Sequence, residues 1–179
     1  MTLPSFQHGF PAKVRLGSWR AQARPVRAIL FDKNSETNWT LGWHQDRTIA
    51  VRERADVVGF SNWTMKSGVT HVEPPFAVLE RMITARIHLD DVGADNGPLL
   101  IAPGSHRLGR LDASEIEATV EAAGPIECLA RAGGVWVYKT AILHASEASR
   151  CATGRRVLQI DFSADKLPGD LEWAGISSL

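Results

Sequence analysis

The clearest pattern in the chain is two-residue alternation. Across residues 83–90, Ile83, Ala85, Ile87 and Leu89 fall on one side and Thr84, Arg86, His88 and Asp90 on the other. That is the repeat of an extended strand. A strand with one wholly polar face suggests a pocket instead of a dry core. Residues 26–31, bounded by Pro25 and by Asp32-Lys33-Asn34, read as an earlier strand; residues 39–44, 99–101, 126–129, 134–145 and 155–162 read as others. Asn96-Gly97-Pro98 and Pro103-Gly104 are turns, the second with Gly104 at a positive-φ position. Helical signals concentrate at residues 112–123, where Asp112 and Glu115 have the spacing of a capping box and Gly124-Pro125 supplies the stop. Residues 59–75, with Gly, Ser, Asn and two adjacent prolines, read as a long lid-like loop. Many short strands with one or two helices predict a mostly β, double-sheet jelly roll.

A chain of 179 residues has the length of one domain, and the single domain expected over 1–179 has its core at about 26–163. Twenty basic residues balance twenty acidic ones, which argues against a nucleic-acid or anionic-membrane partner. The two cysteines, Cys128 and Cys151, make no disulfide framework, so a reducing, cytoplasmic setting is expected. Neither a membrane span nor a signal peptide is evident in the apolar runs.

Chemistry concentrates at His44-Gln45-Asp46, at the end of a predicted strand. Positions i and i+2 share a face, so an imidazole and a carboxylate can converge on one cation. His144, at the end of a distant strand, is a candidate third ligand. Two histidines and a carboxylate on one side of a metal, with the other side open, suit a non-haem Fe(II) centre. His88-Leu89-Asp90 repeats the same spacing. Spacing alone leaves both pairs open.

The wider pattern comprises Gly42-Trp43-His44-Gln45-Asp46, Asn96-Gly97-Pro98-Leu99, Pro103-Gly104-Ser105-His106, and His144 followed by Arg155. It resembles the phytanoyl-CoA dioxygenase family from about residue 27 to about 162. The resemblance implies a double-stranded β-helix, a jelly-roll barrel of the cupin kind. It also implies an Fe(II)- and 2-oxoglutarate-dependent dioxygenase that uses O2 to hydroxylate a small molecule, releasing succinate and CO2. The family's motif order selects His44, Asp46 and His144 as metal ligands over His88 and Asp90. It also makes Arg155 the anchor for the far carboxylate of 2-oxoglutarate, with neighbouring Arg156 facing the opposite side. Arg86 and Thr48 are further candidates around the co-substrate, and Gln45 flanks the metal pair. Trp43, His71, His88, Ser105 and His106 are candidates for substrate contact. A homodimer covering the pocket is a further expectation. Asp46 disfavours halogenation, which needs that position free for halide. A zinc hydrolase leaves the arginine after His144 unexplained, and a non-catalytic metal-binding barrel is the alternative from another class.

Overall fold

The computed structural model describes residues 22–150 and 154–176. Eleven strands and two α-helices lie among the described residues. The long sheet has the order β1 (Arg24–Lys33), β11 (Arg155–Ser163), β6 (Ile83–His88) and β9 (Val135–Lys139), antiparallel throughout. Opposite it stand β2 (Leu41–His44), β10 (His144–Ser146), β7 (Leu99–Ile101) and β8 (Ile126–Cys128), also antiparallel. A third sheet joins β3 (Ile49–Val51), β5 (Val69–Glu73) and β4 (Ser61–Lys66). The architecture is the mostly β, double-stranded β-helix expected from the chain. No helix among the described residues is long and apolar enough to cross a membrane.

Three clusters hold these layers together by removing apolar surface from water. Leu99 and Ile101 of β7 and Cys128 of β8 pack with Tyr138 of β9 and Ile142, closing one end of the barrel between the two large sheets. Ala102, Leu111 and Leu143 pack under Val120 of α2 (Ala113–Ala123). Ile49, Val51 and Val72 of the third sheet pack with Val26, with Leu79 of α1 (Phe76–Arg81), and with Leu171 and Trp173. The Glu115 carboxylate accepts the Asp112 backbone N–H (2.8 Å), and Gly124 ends α2 with φ of 65°, matching the expected start and stop.

Two expectations need correction. Residues 134–145 are not one strand: β9 ends at Lys139, a turn follows, and β10 begins at His144 in the opposite sheet. The mixed apolar run masked that crossover. Residues 59–75 are no lid-like loop but the β4–β5 hairpin, closed by Ser67 and Gly68 with φ of 47° and 78°, the pair of positive values that a two-residue type I′ turn requires. Both faces of β4 are largely exposed, so it lacks the alternation that marks a half-buried strand. Helix α1, a single short turn and a half, carried too little periodicity to be read.

The Asn-Gly-Pro turn is held against the chain after β10. Gly97 has φ of 54°, and a Cβ there would lie 2.5 Å from the Glu147 carbonyl oxygen. Its own carbonyl accepts the Ser146 hydroxyl at 3.1 Å. Gly97→Ala is therefore expected to destabilise the protein by more than about 1 kcal/mol, read as a lower urea midpoint at unchanged slope.

Candidate metal centre and its basic cavity

His44 ends β2 and His144 opens β10, and the two residues are direct cross-strand partners. Their rings lie 4.3 Å apart, centroid to centroid. Asp46 follows two residues after His44, and one ligand atom from each of the three lies within 4.8 Å of the others. Each histidine is oriented by its own backbone. His44 Nδ1 pairs with the Gly42 carbonyl at 2.7 Å and His144 Nδ1 with the Ile142 carbonyl at 3.0 Å. A carbonyl only accepts, so both Nδ1 atoms carry the proton and both Nε2 atoms are free to ligate. Burial holds the His144 pKa below the usual imidazole value, with nearby Asp46 opposing that shift, so its neutral, ligating form is favoured.

Gln45, between the two ligands, points the other way and braces the strand end. Its Nε2 donates to the Gly109 and Ala141 carbonyls (2.9 and 3.0 Å), and its Oε1 accepts the Leu111 N–H at 2.9 Å. The spacer residue of the His-x-Asp motif thus ties three chain segments together. This is a structural task, with no hydrogen bond to the triad.

The triad opens onto a cavity of about 80 Å³, also lined by Phe31, Arg86, Ser146, Arg155 and Gln159. Alternation along β11 buries Arg155, Val157, Gln159 and Asp161 and leaves Arg156 outside. Arg155 is 2% exposed, and its Nε and Nη1 have no partner. Arg156 instead grips Asp90 on the surface through two nitrogens, at 3.0 and 2.9 Å. That contact answers which arginine faces the barrel. It also removes Asp90 from contention as a ligand. Arg86, on β6, donates to Gln159 Oε1 at 3.0 Å and lies over the Phe31 ring, while its Nε is unpartnered.

Lys33 is a residue that sequence reading does not flag, because it stands in the Asp32-Lys33-Asn34 stretch that bounds a predicted strand. It is 1% exposed and stands opposite Arg155 in the β1–β11 register. Its Nζ donates to Ser146 Oγ at 2.9 Å and to the Glu147 carbonyl. Lys33, Arg86 and Arg155 together bury three basic groups, and no carboxylate among the described residues pairs with any of them. Desolvation lowers Lys33 to about 8 and Arg155 to about 10, with neighbouring arginine charge adding to the effect in both. The only sequence signal for Lys33 is a lysine at the end of an apolar strand, which by itself is common.

The remaining candidates separate by what they touch. Buried His88 has no partner for either nitrogen, and burial, then the Arg86 and Arg155 charges, lower it to about 4. It sits beside the basic cluster without lining the triad's cavity. Thr48 is not among the residues that line that cavity either. Trp43 packs against the cluster under α2. The Ser105 hydroxyl bridges the Ala102 carbonyl and the Leu143 N–H (2.8 and 2.9 Å), fixing the chain just before His144. His106, in the short 3-10 turn Ser105–Arg107, lies away from the triad's cavity. Trp43 thus packs and Ser105 braces the chain, and none of Trp43, Ser105 and His106 lines the triad's cavity. His71 lies in a different cavity, beside β1.

The family model for phytanoyl-CoA dioxygenase matches residues 11–157. The chain belongs to the phytanoyl-CoA dioxygenase family. Among solved structures it resembles EctD from S. alaskensis with bound Fe, with TM-score 0.57 and 16% identity over 79% of this chain and 45% of that one. AviO1 from Streptomyces viridochromogenes Tue57 gives TM-score 0.54 and 24% identity, covering 82% of this chain and 53% of that one. The non-heme alpha ketoglutarate dependent carbocyclase SnoK from nogalamycin biosynthesis gives 0.55 and 18%, covering 78% and 49%. At these identities the likeness is one of fold, and this member of the family spans about half the length of those structures. No curated protein matches the chain.

Two expected outcomes follow from the site. Removing any one of the triad (His44→Ala, Asp46→Ala or His144→Ala) should weaken Co(II) binding, followed by visible absorption, by more than the roughly 10–100-fold typical of losing a residue that only hydrogen-bonds a ligand. His88→Ala should leave that binding within about threefold of wild type, by the same titration. For His88 the unfolded value near 6.5 exceeds the folded value of about 4, so the unfolded chain binds the extra proton between them. Stability should be fully present above pH 6.5 and fall as pH drops toward 4. His88→Phe should flatten that slope in urea titrations.

Proposed function

We propose that the protein is an Fe(II)- and 2-oxoglutarate-dependent oxygenase that hydroxylates a small molecule and releases succinate and CO2. The observation that carries this reading is the unpartnered, buried Arg155 guanidinium facing a cavity that it shares with a two-histidine, one-carboxylate cluster. A charge buried without a partner costs several kcal/mol. Arg86 and Arg155 line this cavity without carboxylate partners, and Lys33 reaches its wall through Ser146, an arrangement that makes sense where an anion completes it.

The donor set fits a ferrous ion: two imidazole Nε2 atoms and one carboxylate oxygen gathered on one side of the site. In this reading His44, Asp46 and His144 would hold the metal, and 2-oxoglutarate and O2 would complete its coordination. Arg155 receives the far carboxylate of 2-oxoglutarate fork to fork, which fixes direction as well as charge. Lys33 adds a second positive group, already positioned by Ser146 and the Glu147 carbonyl. Arg86 is held in place by Gln159 and by the Phe31 ring, so it adds field to the cavity without swinging freely. Iron with 2-oxoglutarate and O2 supplies the oxidising power, and the barrel supplies orientation and a dry setting. Asp46 occupies the position that a halide-transferring site would need open.

The test is succinate formation from 2-oxoglutarate with Fe(II) and O2, in substrate-free or substrate-driven turnover. Arg155→Gln should raise the KM for 2-oxoglutarate at least about tenfold, the scale of a charge-assisted hydrogen-bond pair. Arg156→Gln should leave it unchanged. Equal effects of both substitutions would remove Arg155 from the role of anchor.

A further inference from the structure

A second cavity, of about 240 Å³, lies beside the triad's own. The two share Arg27 and Ile29, which stand with Phe31 in one row on the inward side of β1. Successive members of such a row are about 6.6–6.8 Å apart, so the second cavity lies within a side chain or two of the triad. Its volume is below the roughly 300–1,000 Å³ of sites for drug-sized ligands, which suits a small metabolite.

The lining divides into three kinds of surface. Ile29, Ala50, Val69 and Ile176 make it largely apolar. His71, in the middle strand of the third sheet, is 3% exposed, and its Nδ1 pairs with the Val69 carbonyl at 3.0 Å. That contact places the proton on Nδ1, so Nε2 presents a lone pair. Nε2 is buried and has no partner, which leaves an acceptor waiting for a donor. Burial, with the Arg27 and Lys66 charges, favours the neutral ring. The third surface is cationic. Arg27 makes a long ion pair with Asp161 at 3.7 Å, and Lys66 has no carboxylate partner among the described residues.

We propose that this cavity binds the substrate and that the substrate is a small hydroxylated acid. Its apolar body lies along Ile29 and Ala50, its hydroxyl donates to His71 Nε2, and its acidic group faces Arg27 and Lys66. An ammonium donor is disfavoured at His71, because both neighbouring charges are positive. The proposal deepens the reading of the triad as an oxygenase centre and rests on it.

The test uses zinc-loaded protein with 2-oxoglutarate, which does not turn over, and probes of defined chemistry. These are 3-hydroxyhexanoate, hexanoate, and the diol 1,3-hexanediol, titrated by ligand-observed NMR. Wild type should bind the hydroxy acid about tenfold more tightly than either partner compound, the scale of one buried hydrogen bond or charge contact. His71→Phe should erase the preference over hexanoate. His71→Gln, whose amide oxygen can accept, should restore part of it and guards against a folding artefact. Lys66→Gln should weaken both acids several-fold and leave the diol unchanged. No binding of the hydroxy acid to wild type, or an undiminished preference in His71→Phe, overturns the proposal. Cobalt-loaded protein reports separately: a visible band that shifts with 2-oxoglutarate shows the triad and anchor intact, so a failed probe titration then counts against this cavity alone. Absence of that band overturns the oxygenase reading, and the substrate proposal falls with it.

Discussion

One register decides this molecule: His44 opposite His144 in the β2–β10 ladder. Two residues far apart in the chain become neighbours because a short strand pairs with another short strand across the smaller sheet. The pairing is narrow, so its surroundings have to hold it. Gln45 ties the end of β2 to three backbone positions, Ser105 fixes the residue before His144, and Ser146 binds the Gly97 turn. The polar turns between strands, which look like connectors, are what keep the two imidazoles in position.

Around that register the barrel accepts an unusual electrostatic load. Lys33, Arg86 and Arg155 are buried on the inward faces of three adjacent strands of one sheet. Ordinary cores avoid this, because desolvated cations are costly and like charges repel. Their presence, together with unpartnered guanidinium nitrogens, separates a site from a core. The same sheet disposes of its other charges conventionally, as with Arg156 and Asp90 at the surface. Stability and function therefore oppose each other along β11: Val157 is pure packing, while Arg155 and Gln159, two residues to either side, serve the cavity.

Much of this was legible in the chain. The polar face of residues 83–90, the capped helix α2 and the turns at Gly97 and Gly104 rest on local periodicity or on turn chemistry, which short-range sterics enforce; periodicity also says that only one of Arg155 and Arg156 faces inward, and the family resemblance is what selects Arg155. What failed did so for physical reasons. The β4–β5 hairpin is exposed on both faces of β4, so no apolar alternation announced it. Residues 134–145 hide a change of sheet inside one apolar run. Lys33 reads as a turn residue in the chain, and only its pairing with Arg155 across β1 and β11 brings it to the basic cluster.

The chain by itself determined the strand and helix repertoire, the residue types able to bind a cation, and the family pattern that ranks one His-x-Asp over another. Those are properties of neighbours in sequence, where period and spacing act directly. The tertiary structure alone decided which side chains meet: that His88 and Lys33 lie beside Arg86 and Arg155, and that His71 faces a second cavity that shares Arg27 and Ile29 with the triad's. The reason is that strand pairing is non-local. A ladder brings together residues whose separation along the chain carries no signal of their meeting.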